Sequence, residues 1–420
     1  RLTWRHRGRG AAVHDAELIS LALILGAAVA SQLVAAWIRI PSIVLLLISG
    51  FTLGVTDLID PDELLGEELL VALVSVSIGV ILFEGGLTLD LRELRGSVSR
   101  VVLLLVSVGV VLTWLAGAVG AYVVFEMSWE IALVLGAVLV VSGPTVVLPI
   151  LRQVRPRGQV AFILRWEGIL VDPIGVILAV LVFQAVVAGR EPTNFEIIQR
   201  YGINLGIGVG VGIAGAAVLL LILRRARLRS EQEVAFTLAT VVVAFVVADV
   251  LAPEAGLVSA TLMGVLLANQ RLPITGVGNR LPGPLRRLVP ARLRRARHIG
   301  WGRPVEVRHI LSFKETVGLL LTGILFVLLA ARVDAGELGS LAARAVPFVL
   351  ILVLIRFVAV AIATLPTRMS MAERLFMSWM APRGIVAAST ASVFALSFVE
   401  LAEEDPDLAF TGAEDIATIT

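Results

Sequence analysis

Polar positions in this chain are sparse and clustered. Between them run apolar blocks long enough to cross a bilayer, which takes about 20 helical residues. About twelve blocks can be read, near 17–38, 40–56, 66–87, 99–125, 129–150, 160–186, 203–223, 232–250, 254–269, 315–332, 340–364 and 373–399. Hydrocarbon offers no water to an unpaired amide, so each block is expected to be a helix. Two blocks are interrupted. VVSGPTVVLPI in span 5 carries Gly143, Pro144 and Pro149, and APRGIVAAS in span 12 carries Pro382 and Gly384. A proline in a helix removes an amide donor and frees a carbonyl, which is tolerated in mid-membrane where it lines a cavity. Spans 5 and 12 are seven apart, which suits two six-helix repeats separated by one linker helix. The pattern predicts an all-α polytopic membrane protein built as an inverted repeat with two broken, crossing helices.

Composition agrees with that pattern. Of 420 residues, 58% are hydrophobic and only 16% charged, too few to cover a water-soluble surface. There is no cysteine, which excludes disulfides and thiolate metal sites. His6, His14, His298 and His309 are scattered at the amino terminus and in one loop, so no metal constellation or cofactor is implied.

Loop charge sets orientation. DLRELRGSVSR after span 3, RQVRPRG after span 5, RRARLR after span 7 and the 270–309 stretch after span 9 are basic. The connections between them, DLIDPDELLGEE, FEMSWE and ADVLAPEAG, are acidic or mixed. Basic loops favour the cytoplasmic side, which places the amino terminus outside a multi-pass cell-membrane protein. The arginine-rich opening RLTWRHRGRG alone runs against that rule. Arg280, Arg286, Arg287, Arg292, Arg294, Arg295 and Arg297 suit a loop resting on anionic lipid headgroups. Only Trp301 is near them, so no nucleic-acid partner is expected. EVRHILSFKE reads as a short amphipathic helix lying along the interface.

Charge inside the spans carries the chemistry. Glu167 and Asp172 in span 6, Arg356 in span 11 and Arg383 in span 12 are costly in hydrocarbon and imply pairing or a cavity. Five residues turn a helix through about 500°, so the two acids point about 140° apart and do different jobs. Gly168, four residues before Asp172, leaves room beside that carboxylate, and Pro173 frees the carbonyl of Ile169. A carboxylate beside a free carbonyl suits a partly dehydrated monovalent cation; the plainer alternative is that Asp172 pairs with an arginine. Glu84 reads as a helix-end or gate residue and Asp249 as solvated, while Gln184 and Thr145 could line a path.

ILFEGGLTLDLRELR, EGILVDP, HILSFKE and APRGIVAAS resemble the bacterial and archaeal monovalent cation/proton antiporters of the NhaP type, over residues 17–420. Glu167, Gly168, Val171 and Asp172 fall on the family pattern Glu-Ser-Leu-Leu-Asn-Asp, and Ser142-Gly143-Pro144 on Thr-Asp-Pro. Val171 thus stands where the pattern has an amide, and Gly143 where it has an acid. The resemblance implies that Asp172 is alternately occupied by Na+ or K+ and by H+. It implies that Glu167 bridges to Arg356, that Ser142 offers a ligand oxygen, and that Arg383 belongs to the second broken helix. It also implies a homodimer in which spans 4–6 and 11–12 move against a scaffold of spans 1–3 and 7–10.

The expected organisation is a tail (1–16), spans 1–4 (17–125), core spans 5–6 with the ion site (126–200) and scaffold spans 7–9 (201–269). An Arg-rich loop with the interfacial helix (270–314), spans 10–12 (315–399) and an external loop (400–420) follow. The family tends to have one helix more, so the sequence reads as a fragment. One titrating acid predicts electroneutral exchange, and no enzyme activity is expected. The rival reading is a proton-uncoupled cation channel, although no carbonyl-rich filter sequence is present. An intramembrane aspartyl hydrolase would need two acids facing each other.

Overall fold

The computed structural model describes residues 4–94, 96–143, 146–147, 150–151, 154–156, 159–187, 195–225, 229–270, 307–333, 335–380, 386–387, 390–391, 394–395, 398 and 416. Twelve longer helices stand in the places of the twelve blocks. They are α1 (Trp4–Ile38), α2 (Ser42–Val55), α3 (Glu67–Leu87), α4 (Ser97–Val124), α5 (Trp129–Val138) and α6 (Val160–Val187). The second half holds α7 (Phe195–Arg225), α8 (Ser230–Leu251), α9 (Ala255–Ala268), α10 (Val307–Ala331), α11 (Ala335–Thr364) and α12 (Met371–Trp379). No strand occurs among the described residues. Among the described residues, six helices are long and apolar enough to cross a membrane, and five shorter ones are apolar.

Two segments differ from the sequence-based expectation. The 1–16 tail is helical from Trp4, continuous with the first span. EVRHILSFKE is not a separate interfacial helix: from Val307 it is the first part of α10. Once a span has paid the cost of nucleation, adjoining residues extend it at one hydrogen bond each. The Arg-rich 271–306 loop lies outside the described residues. Of the expected external loop, Ile416 alone is described, and it is helical and buried in the main apolar core.

The helices pack as two groups. One comprises α1, α2, α3, α7, α8, α9 and α10; the other comprises α4, α5, α6, α11 and α12. The main contacts between them run through α6, which touches α3, α7 and α9. Within the first group α3 and α9 meet with almost no side-chain spacer. A Cβ on Gly264 would lie 2.2 Å from the carbonyl oxygen of Phe83, and one on Gly86 would lie 2.4 Å from that of Thr261. Lipid tails supply no hydrophobic drive between helices, so close backbone approach through small residues replaces it.

Both interrupted blocks break where their Gly/Pro clusters fall. In span 5, α5 starts at Ser128, whose hydroxyl accepts the N–H of Ile131. Its ladder ends as the amides of Val140 and Val141 donate to Ala137 and Val138; helical bonding restarts at the carbonyl of Gly143, which accepts from Val146 and Val147. In span 12, α12 starts with a reciprocal cap between Ser370 and Glu373 and stops at Trp379. Met380 leaves the helix at φ −81°, ψ 86°, and helix is found again at Val386. Pro144, Pro382, Arg383 and Gly384 lie outside the described residues.

Gly264→Val should lower the thermal unfolding midpoint in detergent, because overpacking costs about 1–3 kcal/mol and here the obstacle is backbone. An unchanged midpoint would contradict the α3–α9 approach.

Candidate functional site

The site is built on the middle of α6. Positions 168, 172 and 175 recur at one-turn intervals, so they share a face. That face lies on the interrupted part of span 5. A Cβ on Gly168 would stand 2.9 Å from Val147 Cγ2, and one on Gly175 the same distance from Val141 Cγ2. Val141 opens the non-helical stretch 141–143, and Val147 lies in the helical turn that follows it. Asp172, between the two glycines, therefore faces the break. The room expected beside Gly168 is taken by Val147; the glycine serves close packing of broken chain against α6 instead.

Asp172 is only 1% exposed, and neither carboxylate oxygen has a hydrogen-bond partner among the described residues. It does not pair with an arginine there. A buried polar group without a partner costs several kcal/mol in general, so such an arrangement calls for a functional explanation.

Glu167 has the opposite environment. It is 6% exposed and held by both ends of the Arg356 guanidinium, Nη1 on Oε1 and Nη2 on Oε2, the latter at 2.8 Å. Nη2 also donates to the carbonyl of Met380 at 3.2 Å. That carbonyl sits at the end of α12, where a continuous helix would satisfy it from four residues on. Arg356 thus closes one charge and one helix end together, tying α6, α11 and α12. The fork of a guanidinium suits this task; a lysine could not make three such bonds in this geometry. The second half of span 12 returns to α6 further along, where Phe394 stacks on Phe183 with ring centres 4.5 Å apart.

A cavity of about 40 Å³ lies beside the ion pair, room for about one water. Its wall includes Ser142, Glu167, Gly168, Val171 and Arg356, with Thr113 and Gly109 from α4. Asp172 is not in that wall but lies one turn beyond Gly168. Gly109 ends a π-type turn, Leu105–Gly109, inside α4. Such a turn displaces the following residues around the helix, and it often marks a functional site. Thr113 and the π-type turn escaped the sequence reading, since an apolar run with one extra backbone residue per turn has no composition signal.

The smaller candidates resolve differently. Asp249 is half-buried near the start of α9 rather than freely solvated, and its Oδ1 is buried without a hydrogen-bond partner among the described residues. Gln184 is exposed and is not in the wall of the cavity beside the ion pair. Glu84 is half-buried, its carboxylate lying where Gly318 of α10 has no side chain. Thr145 lies outside the described residues.

The family model described as "Sodium/hydrogen exchanger, transmembrane" matches residues 19–411. The chain belongs to the sodium/hydrogen exchanger family. It is a multi-pass membrane protein of a transporter family whose members exchange cations for protons. Two solved structures of the sodium proton antiporter MjNhaP1 from Methanocaldococcus jannaschii share its fold. One, determined at pH 8, has a TM-score of 0.74 and 20% identity, covering 96% of this chain and 95% of that one. The other, an electron-microscopy map, has a TM-score of 0.73 and 21% identity, covering 96% and 90%. No curated protein matches the chain. The exchanger thus has the NhaP antiporter fold.

In this exchanger, Arg356→Ala should destabilise strongly, by about 3–5 kcal/mol, because it strands Glu167 in a buried site. The double variant Glu167→Ala/Arg356→Ala should be less damaged than the arginine variant alone. Thermal unfolding in detergent reads both, and strictly additive losses would contradict a pair acting as one unit.

Proposed function

We propose that this protein is a secondary-active Na+/H+ antiporter, with K+ as the other candidate cation, in which cation and proton compete for Asp172. The observation that carries this reading is the division of labour between two acids on one helix. Glu167 is neutralised by Arg356, whereas Asp172 is buried, lacks a described hydrogen-bond partner and faces the interrupted backbone of span 5. Freed carbonyls and the Ser142 hydroxyl are oxygen donors of the kind a hard monovalent cation needs, and Gly168 brings that chain close. A carboxylate holding a metal ion cannot hold a proton at the same oxygen, so occupancy by one expels the other. Coupling follows without a second site.

Alternating access then requires that Asp172 be exposed first to one side and then to the other. The two packing groups supply a physical division for that motion. The group of α4–α6, α11 and α12 carries both broken helices and the ion pair, and moves as the core; the other group acts as scaffold. The scaffold pairs with a second copy of the chain in the cell membrane, and the Arg-rich 270–314 loop rests on anionic headgroups on the cytoplasmic side. MjNhaP1, whose fold this chain shares, is a sodium proton antiporter, which favours Na+ as the first cation to test. With one titrating acid and a neutral Glu167–Arg356 pair, one cation exchanges for one proton.

Asp172→Asn should abolish Na+-driven proton movement in proteoliposomes, while the parent protein should exchange at a rate insensitive to membrane potential. Normal exchange by the variant would remove Asp172 from the mechanism. Cation flux by the parent without proton movement would replace the antiporter with a channel.

A further inference from the structure

At the end of the bundle that carries the basic loops, a short connection after α3 is held from two sides. On the scaffold side, Asn269 at the end of α9 donates from Nδ2 to the carbonyl of Leu89 at 2.7 Å and accepts the N–H of Leu91 at Oδ1 at 2.9 Å. Those two bonds clamp residues 89–91 to the scaffold as a strand partner would. On the core side, Arg165 of α6 reaches the same connection. Its Nη1 is 3.5 Å from the carbonyl of Thr88 and 4.0 Å from Oε1 of Glu93.

The contact on the core side is unfinished. The side chains of Arg165 and Glu93 are only 28% and 20% exposed. Yet Glu93 Oε2, Arg165 Nε and the indole Nε1 of the adjacent Trp166 are buried without hydrogen-bond partners among the described residues. Burial pushes the Glu93 carboxyl above its ordinary range, outweighing the opposing pull of Arg165 and of the nearby Trp166 indole, which lies short of a full hydrogen bond; Asp90 and Arg92 on the same connection add smaller, opposed effects. A fully made ion pair would place the guanidinium nearer and use those atoms. Two donors and one acceptor therefore wait within a small displacement of α6.

We propose that Glu93 and Arg165 form a latch between core and scaffold, which tightens or releases as α6 moves and so sets the balance between the two access states. The proposal rests on the alternating-access reading above. Geometry supports it in three ways. Arg165 lies two residues before Glu167, so any axial or rocking movement of the ion-binding region carries it along. Glu93 is tethered through Leu89 and Leu91 to α9, which belongs to the other packing group. The main helix contacts between those groups run through α6. A polar link at one end of that seam therefore acts with leverage on the relative position of the groups.

The test uses the absence of native cysteine. A single Thr113→Cys reporter, in the cavity wall but outside the proposed ligand set, is reconstituted in liposomes, and its reaction with a membrane-impermeant maleimide is timed with and without Na+. Glu93→Gln and Arg165→Gln should each change the labelling rate by roughly 2–5-fold, as expected for a partly exposed pair. The charge swap Glu93→Arg/Arg165→Glu should return the rate towards that of the parent. Unchanged rates in both single variants, or a swap as perturbed as the sum of the two, would overturn the latch. If labelling of the parent fails to respond to Na+, the alternating-access reading falls first. If it responds to Na+ but ignores Glu93 and Arg165, the latch alone falls.

Discussion

Arg356 decides the character of the site. By taking both oxygens of Glu167 and the carbonyl of Met380, it converts a buried acid and an open helix end into one satisfied unit. Without it, α6 would carry two uncompensated carboxylates five residues apart in a low-dielectric interior, where neither the fold nor the chemistry would be well defined. With it, one acid is structural and the other is left over. The leftover acid, Asp172, is buried without a hydrogen-bond partner among the described residues, which is why exchange is proposed there. The same arginine links α6, α11 and α12, so the neutral pair also ties the second broken span to α6.

The breaks and the glycines are two halves of one device. The helical ladder of span 5 stops at Val141, and α12 ends at Trp379. Gly168 and Gly175 then let α6 approach the first break to within ordinary packing distance, with Asp172 between them. A larger residue at either glycine would push the freed backbone away from the carboxylate. Small residues serve a different purpose in the other group, where Gly86 and Gly264 bring α3 and α9 together as a stiff unit. Stiffness on one side of a seam and a broken span packed against a buried acid on the other are features a rocking transporter would use.

Much of this was legible in the sequence because bilayer physics leaves few choices. Apolar block length fixed the positions of the twelve helices, and the Gly/Pro clusters located the breaks. The cost of buried charge singled out Glu167, Asp172 and Arg356. Their spacing separated the roles of the two acids, and the expected Glu167–Arg356 bridge is present. What the sequence did not carry were the features that depend on tertiary contact. The gap assigned to Gly168 is filled by Val147, because a missing Cβ reports either space or close packing and composition does not distinguish them. Asp249 looked solvated, yet it is half-buried beside the turn that starts α9. The π-type turn in α4 and the Met380 carbonyl on Arg356 have no one-dimensional signature at all.

The central claim is that a metal ion and a hydrogen ion exclude each other at Asp172. Calorimetric titration of the purified protein with Na+, repeated in buffers of different ionisation enthalpy, measures proton release on binding directly. The account predicts about one proton released per Na+ bound at a pH where the site is protonated, with the release lost in Asp172→Asn. Sodium binding with no proton release, or an unchanged release in that variant, would contradict it.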